Sequence, residues 1–168
     1  MENFKIIQKL ESTNSRLSKE EIILNEMKNK NQVFFKGMNL AYNKLLTFGV
    51  KQVPKSDSNG DGLEWEEFSQ LADKLISRKL TGHAARDEIL EKMEKSHIDE
   101  WNFFYKRILQ KDMRCGLSEK TINNVAKKNG FVEFIIPVFA CQLAQDSELH
   151  QKKLTGEKFL EVKLDGVR

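Results

Sequence analysis

The sequence predicts a mainly α protein: an all-helical domain over residues 1–130, followed by the truncated opening of an α+β unit over residues 131–168. Three observations point there. Apolar residues recur at helical spacing in successive segments as far as Val125. Only two Pro and nine Gly in 168 residues argue against a turn-rich all-β fold. Near Asn129-Gly130 the texture changes to β-branched and alternating residues.

Phe4, Ile6, Ile7 and Leu10 mark the first helix. Ser18-Lys19-Glu20-Glu21 has the form of a capping box, and Ile22, Ile23, Leu24 and Met27 follow it. Phe34, Met38, Ala41, Tyr42 and Leu45 predict a third helix running to about Phe48-Gly49. Residues 51–62 form a polar loop. Phe68, Leu71, Leu75 and Ile76 stripe a fourth helix that ends near Arg78-Lys79, and Thr81-Gly82 breaks the chain. Ala85, Ile89, Leu90 and Met93 face a fifth. Ile98, Trp101, Phe104, Tyr105 and Ile108 predict a strongly amphipathic helix closed by Cys115-Gly116. Ser118 caps a last short helix through Val125. Beyond it, residues 131–141 suit an extended segment, residues 143–154 a short helix, and residues 159–164 a half-buried strand.

Composition bounds the function. At 39% apolar and 32% charged, with 11 Phe, the chain can build a core. No run approaches a membrane span, and Met1-Glu2-Asn3-Phe4-Lys5 lacks the layout of a signal peptide. Two cysteines, Cys115 and Cys141, then suit a cytoplasmic protein with free thiols and no membrane partner, and a monomer is expected. A net charge of +3 is too mild to imply nucleic acid by itself. His83, His97 and His150 have no metal-ligand spacing, and no Gly-rich phosphate loop is present.

Asp57-Ser58-Asn59-Gly60-Asp61-Gly62 matches the first half of an EF-hand loop, but the twelfth position is Phe68 and Glu67 sits one residue early. Calcium needs a bidentate carboxylate at that twelfth place. An Asp/Asn/Gly-rich connection into the next helix explains the segment more simply.

Lys163-Leu164-Asp165-Gly166-Val167-Arg168 carries a plausible chemistry. A lysine amine can attack phosphorus when it is deprotonated and held nearby. Gly166 permits close approach of the backbone, and Arg168 offers planar donors to a phosphate. An exposed hairpin opening, with Asp-Gly favouring the turn, fits the same residues.

Lys163-x-Asp165-Gly166-x-Arg168 also resembles nucleotidyltransferase motif I of ATP-dependent DNA ligases. Residues 78–85, Arg-Lys-Leu-Thr-Gly-His-Ala-Ala, resemble a segment of the N-terminal DNA-binding domain of T-even-type bacteriophage ligases. Residues 111–118, Lys-Asp-Met-Arg-Cys-Gly-Leu-Ser, resemble a turn found in that domain more widely. The three stand in the family's order. The resemblance implies a DNA-binding domain over 1–130 and the start of the adenylation (nucleotidyltransferase) domain over 131–168. It implies that Lys163 takes AMP from ATP with Mg2+ assisting, that Glu161, Asp165 and Arg168 join Lys163 in binding ATP, and that duplex DNA, preferably nicked, is the partner. The implied DNA contacts are Arg78, Lys79, Thr81, Gly82, Arg114, Gly116, Ser118 and Lys120. Each turn precedes a predicted helix, whose free N–H groups suit phosphate.

The family's downstream motifs and its C-terminal OB-fold are absent from the sequence. The expectation is therefore that this chain alone does not seal nicks and holds neither ATP nor Mg2+ tightly. A stand-alone, non-catalytic DNA-binding module is the alternative, and a calcium-binding helical protein a distant third.

Overall fold

The computed structural model describes residues 2–139, 148, 151 and 155–157. The expected helix over 143–154, the strand over 159–164 and Glu161, Lys163, Asp165 and Arg168 lie outside the described residues or almost entirely so. Within them the protein is helical and contains no strand.

Helix α1 (Asn3–Glu11) buries Ile6, Ile7 and Leu10. Helix α2 (Arg16–Lys28) starts earlier than its capping-box pattern predicts. Ser15 is the cap, its hydroxyl accepting from the Ser18 N–H at 3.3 Å, so Ser18 lies inside the first turn. Asn31 caps α3 (Gln32–Tyr42) through the Phe34 N–H at 3.2 Å and donates to buried Glu26 at 2.9 Å. Gly37 is the contact point of α3. A Cβ there would lie 2.5 Å from Cζ of Phe104, so the missing side chain permits the crossing.

Helix α3 ends at Tyr42, short of the expected Phe48-Gly49. The terminal carbonyls explain the stop. The Lys111 ammonium donates to Leu40 O at 2.9 Å and Asn43 O at 2.6 Å, and Asn43 Oδ1 accepts from the Leu45 N–H at 3.1 Å. Leu45 is consequently exposed, and Phe48 enters the core from a loop.

Helices α4 (Trp65–Ile76) and α5 (Gly82–Lys95) follow, α4 burying Trp65, Phe68, Leu71, Ala72 and Leu75. The next rod comprises α6 (Ile98–Glu100), a π-helical turn (Trp101–Tyr105) and α7 (Lys106–Leu109). It ends at Leu109, not at the expected Cys115-Gly116, because Lys111 turns into the left-handed region at φ 59°. Trp101, Phe104, Tyr105 and Ile108 are buried, as their spacing predicts.

This rod also fixes the polar loop. Trp101 Nε1 donates to Pro54 O at 2.9 Å, and Tyr105 donates to Leu63 O at 3.1 Å. Asn102 pairs with the backbone of Ser56 at 2.9 and 3.0 Å. Helix α8 (Glu119–Asn129) is capped by Ser118 as expected, but runs beyond Val125 to a left-handed Gly130. The chain then folds back on it. Asn123 pairs with both backbone groups of Ile136 at 2.8 Å, and Phe134 packs on Phe35.

Candidate nucleic-acid interface

All eight residues expected to meet DNA are exposed. They cluster at two turns and the helix starts that follow them, Gly82 opening α5 and Lys120 lying in the first turn of α8.

The first turn closes α4. Ser77 Oγ donates to Asp73 O at 2.7 Å, and the Arg78 and Leu80 N–H groups donate to Leu75 O and Lys74 O, each at 3.2 Å. Arg78 occupies the left-handed position at φ 60° where glycine is usual. Its guanidinium lies over Gly49, whose own φ is 69°, and a Cβ on Gly49 would fall on that guanidinium. Thr81 precedes α5 but makes no side-chain capping bond. The first N–H groups of α5, beside an exposed and unencumbered Gly82, therefore lack that partner.

The second turn, residues 111–118, is tied from several sides. Arg107 donates to Met113 O at 2.8 Å and pairs with Glu11 at 3.2 Å. Lys19 Nζ donates to Cys115 O at 2.8 Å, and Tyr42 donates to Leu117 O at 3.0 Å. The Arg114 N–H donates to Asp112 Oδ1 at 3.0 Å. The turn's carbonyls thus face inward onto cations and a phenol, while the Arg114 and Lys120 side chains face solvent. Arg114, at φ 50°, and Gly116, at φ 64°, shape its crest. The Lys19 ammonium lies against Gly116, in the space a Cβ would fill. Ser118 Oγ accepts from the Thr121 N–H at 3.3 Å, so its first role is to cap α8.

Electrostatics agree with this division. Burial lowers the Lys111 pKa and raises those of Cys115 and Tyr42. These groups hold the turn together, and Lys111 is committed to the end of α3. One loop joins the two turns. Lys111 grips it at Asn43, Lys44 reaches Glu119 at 3.9 Å, and Arg78 covers it at Gly49. Asn43 and Gly49 are six chain steps apart, a contour of at most about 22 Å.

Sequence reasoning passed over Lys19, Tyr42, Arg107 and Lys111, whose partners are distant along the chain. No local signal marks them. The EF-hand-like segment is structural. The Gly60 and Gly62 N–H groups donate to Ser96 O and Lys95 O at 3.0 and 2.8 Å, and Asn59 Oδ1 accepts from the Ile98 N–H at 2.9 Å. Glu67, the displaced twelfth-position candidate, pairs with Lys95, whose ammonium holds its carboxyl below the ordinary range. Among the described residues no group of three or more His, Cys, Asp or Glu could hold a metal, and no helix is long and apolar enough to cross a membrane.

No family model and no curated protein matches the chain. Solved structures do. Those named Pmar-Lig_PreS3 and Pmar-Lig_Pre are each 50% identical to it over 93% of its length, with TM-scores of 0.81 and 0.82. The fold is ligase-related. The chain spans 36% of each of those solved chains, so it corresponds to about a third of their length.

Proposed function

We propose that this chain is the N-terminal part of an ATP-dependent DNA ligase of the T-even-bacteriophage-like type, and that its helical portion grips nicked duplex DNA. The likeness at 50% identity to structures named as ligases carries the proposal. Two exposed cationic turns, each feeding a helix N-terminus, support DNA as the partner. Arg78, Lys79, Arg114 and Lys120 would contact phosphates, with Thr81 and Gly82 admitting the backbone, while Gly116 makes room for Lys19 and Ser118 caps α8 behind the second contact. Phosphate contacts give affinity without sequence preference.

In the same reading Lys163 is the nucleophile. Its deprotonated amine attacks the α-phosphorus of ATP, the N–P bond forms and pyrophosphate leaves. AMP then passes to the 5′-phosphate of the nick, and the 3′-hydroxyl displaces it. Glu161, Asp165 and Arg168 would position the nucleotide, and a divalent ion such as Mg2+ would assist by offsetting phosphate charge.

A gel-shift titration with nicked duplex at two salt concentrations tests the DNA-binding portion. The expected result is retarded duplex at low salt, weakening steeply as salt rises and indifferent to sequence. Absence of any shift at low salt would sink the proposal.

A further inference from the structure

A concavity with a volume of about 740 Å3 lies between the loop at residues 48–54 and the first turns of α5. Its floor is apolar: Val53, Ala85 and Ile89 are buried, and Leu80 and Leu90 line it with part of their surface exposed. Its rim is cationic. Lys51 comes from the loop, Arg78 from the turn after α4 and Arg86 from α5, with the His83 imidazole beside them. None of its lining residues is acidic. Lys51 and Arg86 are exposed, and among the described residues neither has an ion-pair partner.

The spacing along α5 is informative. His83, Arg86 and Leu90 recur at intervals of three and four, which places them in one row along the groove. Along that row the Arg86 cation is followed one turn later by the apolar Leu90. The facing wall repeats the arrangement, with Lys51 beside Val50 and Val53. A free phosphate would use the cations and leave the apolar floor wet. A sugar–phosphate strand uses both, because its phosphates are anionic while its deoxyribose faces are largely C–H.

We propose that this groove seats the sugar–phosphate backbone of one DNA strand, with Lys51 and Arg86 as phosphate contacts on its two walls and Leu90 packed against deoxyribose. The proposal rests on the duplex-binding reading above and extends the contact region of the first turn across the groove to Lys51 and Arg86. Arg78, Thr81 and Gly82 belong to both turn and groove. The Arg78 guanidinium, laid over Gly49, is the point where the turn and the groove meet.

Fluorescence anisotropy of the full chain on a nicked duplex, across a salt series, tests it. The variants are the double substitution Lys51→Ala with Arg86→Ala, and separately Arg114→Ala with Lys120→Ala, each checked for an unchanged thermal melt. Loss of two phosphate contacts should weaken binding about tenfold or more and make the slope of log K against log salt shallower by about 1.8. Leu90→Ser should weaken binding with the salt slope unchanged. If the groove variants bind like wild type while the Arg114/Lys120 variant is weakened, the groove proposal is overturned and the duplex-binding reading stands. If the wild-type chain binds no duplex at low salt, both fail together.

Discussion

The turn at residues 111–118 hangs from side chains of α1, α2, α3 and α7, whereas the turn at residues 77–82 is held mainly by backbone bonds to the last turn of α4. In the first, Arg107, Lys19 and Tyr42 each take a carbonyl, and Glu11 neutralises Arg107 from behind. In the second, Arg78 sits in a conformation that favours glycine, α5 begins without a side-chain cap, and a wide groove opens beside it. In the DNA-binding reading proposed above, the difference separates two demands on a surface that would meet a polyanion. One region is fixed in advance and loses little freedom on binding. The other leaves its donors uncommitted, and so available to a ligand.

The sharpest way to break this comparison is to cut the support of the rigid turn. Arg107→Ala leaves the Met113 carbonyl without its donor and Glu11 without its cation. A loss of about 2–3 kcal/mol is expected, since hydrogen bonds to charged groups contribute that much and Glu11 keeps some solvent. Urea denaturation measures it. A loss below about 0.5 kcal/mol, within the range of ordinary surface changes, would mean the turn holds its shape without Arg107.

The opposite pattern is expected at the other turn. Arg78→Gly removes a left-handed strain of about 1 kcal/mol and adds about 0.5–1 kcal/mol of unfolded-state entropy, so stability should barely move. DNA affinity should fall, and the salt slope should become shallower by about 1, as one phosphate contact is lost. Melting and anisotropy on the same variant decide the matter. Lost stability with unchanged binding would make Arg78 a structural residue and erase the contrast.

What the sequence made legible follows the same line. The Ser118 cap and the apolar faces of α1, α4 and the Ile98–Leu109 rod depend on residues a few positions apart, and they are found where spacing places them. The end of α3 was not legible, because Lys111 decides it from the far side of the fold. The start of α2 was misread for a local reason. Ser15 and Ser18 both precede good helix formers, and the Glu after Ser18 favoured the wrong one. The turns themselves could be located, because Gly and flanking cations mark them. Their unequal support could not, since it comes from Lys19, Tyr42 and Arg107 through contacts between distant segments. The groove was invisible for a related reason: its walls meet only when residues 48–54 fold against α5.

The finest test concerns one proton in the rigid turn. Tyr42 donates to Leu117 O and lies 3.7 Å from Cys115 Sγ. Burial first, and the neighbouring thiol second, push its pKa well above the ordinary value of 10.0. The folded chain therefore keeps a proton that the unfolded chain releases. This contribution to stability is complete below pH 10.0 and is lost progressively as pH rises toward the folded value. Tyr42→Phe removes the hydrogen bond and should cost about 1 kcal/mol at neutral pH. It also removes the linked proton, so the gap between wild type and variant should narrow above pH 10.0. The Cys115 thiol is raised from 9.0 chiefly by burial but shares a hydrogen bond with Tyr42 that lowers it, so both proteins carry Cys115→Ala in this comparison and the phenol alone differs. Urea midpoints for the pair at neutral and alkaline pH read it out. A constant gap at every pH would show that the phenol's proton does not help hold the turn.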